Sequence, residues 1–330
     1  MQLWTDELEA MRAETRAEVD ATLPAILELM GRDDAPADRP VPLDRDEQVA
    51  RSRKAMEAIY MPSPEADVRE IAGVPCRVFT PNGPATAVYL HFHGGGMVIG
   101  APEMSDLASV DLRDRFNMAV VSVDYRLAPE HPHPAGPDDG VAVAEWLLAN
   151  AEREFGSGRL LLGGESAGGY MSAITLLRIR DELHASHRVD GANLVFGVYD
   201  WGRSPSQRGI RPSAGPDLLD PVGISFFTDC YLPGLTDDER RDPSVSPAFA
   251  DLRDMPPALM SVGTSDHLLD DTLMLSARWA AAGSEVDLLV LPEMPHGFMA
   301  VPGPMVALWA KHTLGWFADI LARPPRATGS

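Results

Sequence analysis

Short apolar runs alternating with longer helix-like stretches constrain the fold of this chain most strongly. The last six runs are apolar at nearly every position, which is typical of strands covered by helices on both faces. Two earlier runs, joined by the turn-like AGVP, predict an edge hairpin. The predicted strands are residues 68–71, 75–80, 86–92, 118–123, 160–163, 193–198, 258–262 and 286–291. The sequence therefore predicts an α/β fold with an eight-stranded, mostly parallel sheet and helices on both faces.

Two regions fall outside this alternation. Residues 1–60 predict two helices, about 5–30 and 43–60, and residues 201–245 insert a Gly/Pro-rich loop with one helix near Pro221–Tyr231. Ligands of α/β sheets bind beyond the carboxyl ends of the strands, so we expect both regions to form a helical cap there. Within the main domain, residues 61–330, further helices are predicted at 138–149, 166–180, 270–282 and 304–321.

The composition excludes several classes of protein. The net charge of −21 over 330 residues disfavours nucleic acid and anionic membrane surfaces as partners. No apolar run approaches the ~20 residues of a membrane span, and the charged start does not predict a secretory signal. Cys76 and Cys230 are too few for a disulfide framework. We therefore expect a cytoplasmic protein.

The motif Gly-Glu-Ser-Ala-Gly at residues 164–168 lies between an apolar strand and a predicted helix. This is the context that G-x-S-x-G requires, because the glycines allow a sharp turn that presents the serine hydroxyl above the sheet. The amides at the start of the helix point towards developing negative charge. Ser166 is therefore the candidate nucleophile.

A serine nucleophile needs a base and an acid that orients the base. Among nine histidines, His296 lies just past the eighth predicted strand, at the sheet end where Ser166 is expected. Asp266 lies in the loop after the seventh strand, whereas Asp270 and Asp271 fall where the next helix begins and are predicted as caps or dipole partners. The order serine, aspartate, histidine is typical of α/β-hydrolases.

The run HFHGGG ends the third predicted strand and continues into three glycines. Its glycines can present bare amides to an oxyanion, with the amide of Ala167 as a second source. His91 and His93 would share a face as metal ligands do, but no third ligand is nearby in sequence. We therefore expect His93 to hold the glycine backbone through a hydrogen bond, and we expect no metal.

With HGGG, GESAG, an Asp-x-Leu-x-Asp stretch and PHGF in this order, the chain resembles the hormone-sensitive-lipase-like esterases, also called bacterial family IV. DYRLAPEHPHPA (124–135) and DPSVSPAFADLRDMPPALMSVG (242–263) also match the family's usual text. The resemblance implies an α/β-hydrolase fold and a triad of Ser166, Asp266 and His296. It further implies an oxyanion hole formed by the amides of Gly95, Gly96 and Ala167, and a lid built from the N-terminal helices and the later insertion.

The sequence departs from the family pattern at four positions, which bear on the pocket rather than on the reacting groups. These are Glu165, Met97, Tyr170 and His267. Met97 is predicted either to shape the acyl pocket or to pack in the core. The candidates for the pocket wall, or equally for lid packing, are Trp201, Phe226, Phe227 and Tyr231.

The resulting hypothesis is a serine carboxylester hydrolase for short- to medium-chain esters. We expect no cofactor, a small-molecule ester as partner, and a monomer or homodimer. An amidase or peptidase could use the same machinery, although no charged anchor for a peptide terminus is evident. A non-catalytic receptor on the same fold is disfavoured because such relatives lack the triad histidine, whereas His296 is present.

Overall fold

Eight strands form one sheet in the computed structural model, which describes residues 4–29, 44–58, 60–212 and 217–326. In chain order they are β1 (Asp67–Ile71), β2 (Val74–Phe79), β3 (Val88–Phe92), β4 (Ala119–Val123), β5 (Leu160–Glu165), β6 (Val189–Val195), β7 (Ala258–Gly263) and β8 (Val286–Leu291). The order across the sheet is β1-β2-β4-β3-β5-β6-β7-β8. The pairs β1/β2 and β2/β4 are antiparallel and the rest are parallel. The predicted fold is therefore confirmed.

Burial follows this topology. Every residue of β3, β4, β6 and β7 is buried, because helices cover both faces of the central strands. β1 is an edge strand and is largely exposed. It joins β2 through Ala72 and Gly73, whose positive φ angles of 53° and 80° are those of a tight hairpin turn. The expected edge hairpin is thus present.

The described part of the chain contains nine α-helices. They are α1 (Asp6–Ala10), α2 (Arg12–Leu29), α3 (Arg45–Glu57), α4 (Asp106–Phe116), α5 (Ala135–Phe155), α6 (Ala167–Asp181), α7 (Pro221–Tyr231), α8 (Leu269–Ala281) and α9 (Pro304–Ala322). None of them is long and apolar enough to cross a bilayer. α4 was not predicted, and the predicted helix at 5–30 is divided at Met11 into α1 and α2. Predicted positions 30, 43 and 59, and 213–216 of the insertion, lie outside the described residues.

The sixth strand was predicted at 193–198, but β6 runs from Val189 to Val195, so the prediction placed it too far towards the C-terminus. Asp190 and Gly191 have the character of turn residues, but tertiary contacts place them in the sheet. Asp190 pairs with Arg159 at 2.6 Å. A Cβ on Gly191 would lie 2.8 Å from the ring of Trp316, so glycine lets α9 approach the strand closely.

The N-terminal helices pack at the carboxyl end of the sheet. The buried residues of α1 and α2 join a cluster with residues of the loops after β6 and β8; this cluster includes Leu8, Val19, Leu23, Leu27, Phe196, Met294 and Phe298. In α3, Arg53 donates hydrogen bonds to Val98 O at 2.9 Å and Ala128 O at 3.0 Å, near the loop after β3. Both segments therefore contact the loops that carry the candidate site.

Candidate active site

Ser166 occupies the tight turn between β5 and α6. Its φ of 55° and ψ of −119° lie in a backbone region that residues other than glycine rarely adopt, as expected for a strained turn that projects the hydroxyl. The flanking glycines are required sterically. A Cβ on Gly168 would lie 2.6 Å from the carbonyl carbon of Phe92, and one on Gly164 would lie 2.8 Å from that of Gly168. The turn therefore packs directly against the end of β3.

The structure brings the three predicted reacting residues together. His296 Nε2 lies 2.9 Å from Ser166 Oγ, and His296 Nδ1 lies 2.9 Å from Asp266 Oδ2. With Nδ1–H donating to the carboxylate, Nε2 is free to accept the serine proton. Asp266 is fully buried, and its other oxygen accepts a hydrogen bond from Leu268 N at 2.7 Å. This arrangement fixes both the orientation and the tautomer of the imidazole.

Packing around His296 restricts its movement. The ring of Phe196 meets the imidazole edge-on, with centroids 4.7 Å apart, and Phe196 also packs on Phe298 at 5.1 Å. The loops carrying Asp266 and His296 are joined by a hydrogen bond of 3.0 Å from Ser265 N to Met294 O. The imidazole is therefore held by both ring contacts and backbone contacts.

The glycine loop after β3 lies beside the serine turn. Gly95 has a φ of 122°, and a Cβ there would lie 2.6 Å from the carbonyl carbon of Ile99, so only glycine fits. The carbonyl of Gly95 accepts from the amides of Val98 and Ile99 at 3.0 and 2.9 Å. Within the described residues, the amides of Gly95, Gly96 and Ala167 donate no hydrogen bond. They are therefore available to a ligand.

Comparison of the chain with known proteins identifies its family. A family model described as alpha/beta hydrolase fold matches residues 89–300. The chain is 34% identical over 275 residues to carboxylic ester hydrolase LipN of Mycobacterium tuberculosis, an alignment covering 77% of this chain and 71% of the relative. This chain belongs to the α/β-hydrolase family.

Two further relatives specify the type of hydrolase. Carboxylesterase NlhH of Mycobacterium tuberculosis is 34% identical over 240 residues, covering 69% of this chain and 72% of the relative. The crystal structure of a hormone-sensitive lipase from a metagenome library matches with a TM-score of 0.75 and 28% identity, over 90% of this chain and 98% of that one. The hydrolase is thus a carboxylesterase, and the resemblance to hormone-sensitive-lipase-like esterases is confirmed.

His93 contacts the glycine backbone of the hydrolase. Its Nδ1 lies 2.7 Å from Gly94 O, and its ring stacks on Tyr125 with centroids 4.3 Å apart. The Tyr125 hydroxyl donates to His93 O at 2.7 Å. Burial lowers the pKa of His93 to about 4, so the ring is neutral at neutral pH and Nδ1–H is the donor.

Glu165 connects the serine turn to the glycine loop of the hydrolase, a link that sequence reasoning missed. Its carboxylate accepts from Gly94 N at 3.3 Å and from Ser105 Oγ at 3.0 Å, and it lies 3.1 Å from His91 Nε2. Burial raises the pKa of Glu165, but His91 and Ser105 stabilise the carboxylate more, so its pKa lies below the ordinary value. Nothing in the sequence pairs these residues, because β3 and β5 become neighbours only in the sheet.

His91 is held by Ser122 as well as by Glu165. Its Nδ1 lies 2.8 Å from Ser122 Oγ, so both ring nitrogens face polar side chains of the protein. Among the described residues, no group of three or more His, Cys, Asp or Glu side chains is arranged to hold a metal ion.

Three predicted pocket residues are buried in the protein interior. Met97 has no accessible surface and packs near Gly136 at the start of α5, so the structure favours its core role over its pocket role. Trp201 and Tyr231 are 3% and 1% exposed, because they pack with Tyr170 into one aromatic cluster with centroids 5.0 to 5.9 Å apart. Of the two roles predicted for these side chains, pocket wall or packing, their burial favours packing.

Two predicted pocket residues on α7 remain near the glycine loop. The ring of Phe227 covers Gly96, where a Cβ would lie 2.5 Å from Phe227 Cγ. Phe226 lies against Phe227, with ring centroids 5.7 Å apart, and both rings are only partly buried. Phe227 therefore lies against Gly96, and Phe226 packs beside Phe227.

Asp270 and Asp271 were predicted as caps or dipole partners of α8. Both lie in its first turn, as dipole partners do, but neither caps the helix, and their carboxylates bind other segments. The helix begins after Leu268 without a side-chain cap. Asp271 accepts from the amides of Tyr199 and Asp200, each at 2.8 Å, and Asp270 accepts from Ser206 N at 2.9 Å. Burial raises the pKa of Asp271 to about 7.

His267, which follows the candidate acid, binds the same insertion. Its Nδ1 lies 2.8 Å from Ser206 O, and its Nε2 lies 3.1 Å from Asp217 Oδ2. The departure from the family pattern at this position therefore adds contacts between the Asp266 loop and the insertion.

Proposed function

We propose that this carboxylesterase acts through an acyl-enzyme on Ser166, with His296 as general base and Asp266 as the group that orients it. One observation carries the proposal: the unbroken chain of two 2.9 Å hydrogen bonds from Ser166 through His296 to Asp266. This order of serine, base and carboxylate is what acyl transfer requires.

In acylation, His296 Nε2 removes the proton from Ser166 Oγ as the oxygen attacks the ester carbonyl. The C–O π electrons move to the carbonyl oxygen, and the imidazolium is stabilised by buried Asp266. When the tetrahedral intermediate collapses, His296 protonates the leaving alcohol. Water then attacks the acyl-enzyme by the same steps, which releases the acid and restores the Ser166 hydroxyl.

The oxyanion is assigned to the amides of Gly95, Gly96 and Ala167. These amides donate no hydrogen bond within the described residues, so no protein acceptor has to be displaced from them. Donors fixed in place before reaction stabilise charge that develops only in the transition state. Loss of one such donor typically costs on the order of 10²–10³ in rate.

The cap is assigned to residues 1–60 and 201–245, because the described helices α1 and α2 pack on the loops after β6 and β8, and α7 packs on the glycine loop. Phe227 of α7 covers Gly96, and Tyr231 at the end of α7 packs on Trp201 and Tyr170. Because bulky rings crowd the glycine loop, the proposed substrates are esters with short to medium acyl chains.

A panel of p-nitrophenyl esters from acetate to octanoate, with the matching anilides, tests this function. Wild-type protein should hydrolyse the shorter esters, and Ser166→Ala should reduce kcat by at least about 10³-fold. Unchanged turnover in the variant would refute the role of Ser166. Faster cleavage of the anilides than of the esters would instead favour an amidase.

A further inference from the structure

Glu293 lies in the loop between β8 and His296 with a φ of 62°. Apart from Gly, Asn and Asp, residues adopt this left-handed conformation rarely, because the Cβ crowds the neighbouring carbonyl. Such outliers persist only where surrounding contacts hold them, and they cluster at functional sites. Glycine would fit here without strain, so the glutamate side chain itself needs an explanation.

The backbone of Glu293 is joined to the loop that carries Asp266. Its amide donates to Thr264 Oγ1 at 2.9 Å, and the next residue, Met294, accepts from Ser265 N at 3.0 Å. Both contacts lie within three residues of Asp266 or His296. A shift of Glu293 would therefore alter the relative position of the acid and the base.

The side chain of Glu293 reaches the N-terminal helix α2. Its carboxylate is only 8% exposed and pairs with Arg12 Nε at 2.7 Å and with Arg16 Nη1 at 3.4 Å. These partners are 281 and 277 residues away in the chain. A nearly buried carboxylate is stable when positively charged groups donate hydrogen bonds to it. Here two such groups, the guanidinium groups of Arg12 and Arg16, come from one helix that is distant in the chain.

The two arginines lie on the face of α2 that packs on the site. Residues 12 and 16 are one turn apart, and Val19 and Leu23 continue the same stripe. Val19 and Leu23 are buried in a cluster with Met294, the neighbour of Glu293. Apolar packing and ion pairs therefore bind α2 to the same loop.

We propose that Glu293 is a positioning residue that couples helix α2 to the loop bearing His296, through Arg12 and Arg16. This inference rests on the proposed function, because it assumes that His296 is the base. With α2 docked, the guanidinium groups fix the Glu293 carboxylate, and the loop keeps His296 at hydrogen-bond distance from both Ser166 and Asp266. Without the ion pairs, the strained residue relaxes and this alignment loosens.

A mutant cycle on p-nitrophenyl butyrate tests the coupling. Glu293→Gln and the pair Arg12→Gln with Arg16→Gln should each lower kcat about 10-fold, with KM changed less than about two-fold. Because both act on one interaction, the triple variant should lose no more kcat than Glu293→Gln alone. The conservative pair Arg12→Lys with Arg16→Lys should recover part of the loss.

Two variants separate positioning from general stability. Glu293→Gly removes the backbone strain together with the carboxylate, so it should unfold at the same temperature as Glu293→Gln or higher and still show the reduced kcat. Asp20→Asn removes a partner of Arg16 other than Glu293, at 3.0 Å, and should leave kcat unchanged. Multiplicative losses in the triple variant, or wild-type kcat in Glu293→Gly, would overturn the proposal.

His296→Ala keeps this test distinct from that of the proposed function. If His296→Ala is inactive while Glu293→Gln has wild-type kcat, the coupling fails and the triad stands. If His296→Ala retains wild-type turnover, the proposed function fails and the coupling fails with it.

Discussion

Replacing Gly95 by alanine should impair catalysis far more than binding. The new Cβ would lie 2.6 Å from the carbonyl carbon of Ile99 and closer still to its oxygen, at a φ of 122° that alanine rarely adopts. To reach an ordinary contact the loop must move by about 1 Å. Oxyanion donors act at about 2.7–3.1 Å, so a shift of this size weakens or breaks their hydrogen bonds. We expect kcat to fall on the order of 100-fold, about 2.7 kcal/mol of transition-state stabilisation.

The assay is steady-state hydrolysis of p-nitrophenyl butyrate, with kcat and KM determined separately. Gly83→Ala is the matched control, because Gly83 also has a positive φ, of 93°, but nothing lies within 4 Å of its added Cβ. The control should show similar backbone strain and wild-type kcat. If Gly95→Ala kept kcat within about three-fold of wild type while remaining folded, the assignment of the glycine amides to the oxyanion would be refuted.

Two further predictions concern His93 and Phe227. Burial lowers the pKa of His93 to about 4 from about 6.5 in the unfolded chain. The unfolded chain therefore binds this proton first, and the unfolding free energy falls as the pH drops from about 6.5 towards 4. Between pH 7 and 5, wild type should lose about 2 kcal/mol more unfolding free energy in urea than His93→Asn, and equal losses would contradict the burial argument. Phe227→Ala uncovers Gly96, so the ratio of kcat/KM for octanoate to that for acetate should rise about 10-fold; an unchanged ratio would place the acyl chain elsewhere.

The features predictable from the sequence are local ones. The serine turn was recognisable because G-x-S-x-G has a steric reason for each glycine, and the structure shows the Phe92 backbone where a Cβ would be. His296 and Asp266 were recognisable because each follows an apolar strand in a fixed chain order. Strand identity was readable from continuous apolar runs, since the central strands are buried on both faces.

The features that were missed depend on contacts between distant segments. β6 begins at Val189, and its next two residues, Asp190 and Gly191, are typical of turns; contacts with Arg159 and Trp316 place them in the sheet. Asp271 has the position of a helix cap, yet its carboxylate accepts from the amides of Tyr199 and Asp200, just before the insertion. No local sequence pattern indicates these partners. Contacts with distant segments therefore outweighed the local preference of these residues for a turn or a helix cap.

The pocket was the least predictable part of the site. Met97 follows HGGG directly, but its φ of 63° and its packing near Gly136 direct it into the core. Trp201 and Tyr231 lie in the insertion, as a pocket wall would, but they pack on Tyr170, one turn after the candidate nucleophile. Side-chain direction in a loop depends on backbone angles that the sequence pattern does not specify.

Covalent trapping tests the central claim most directly. Wild-type protein is treated with a p-nitrophenyl phosphonate ester, and intact-protein and peptide mass spectrometry then locate the adduct. If Ser166 is the nucleophile, one phosphonyl group per chain forms on Ser166, with release of one equivalent of p-nitrophenol, and no adduct forms in Ser166→Ala. An adduct on another residue, or hydrolysis of p-nitrophenyl butyrate by Ser166→Ala at the wild-type rate, would contradict it.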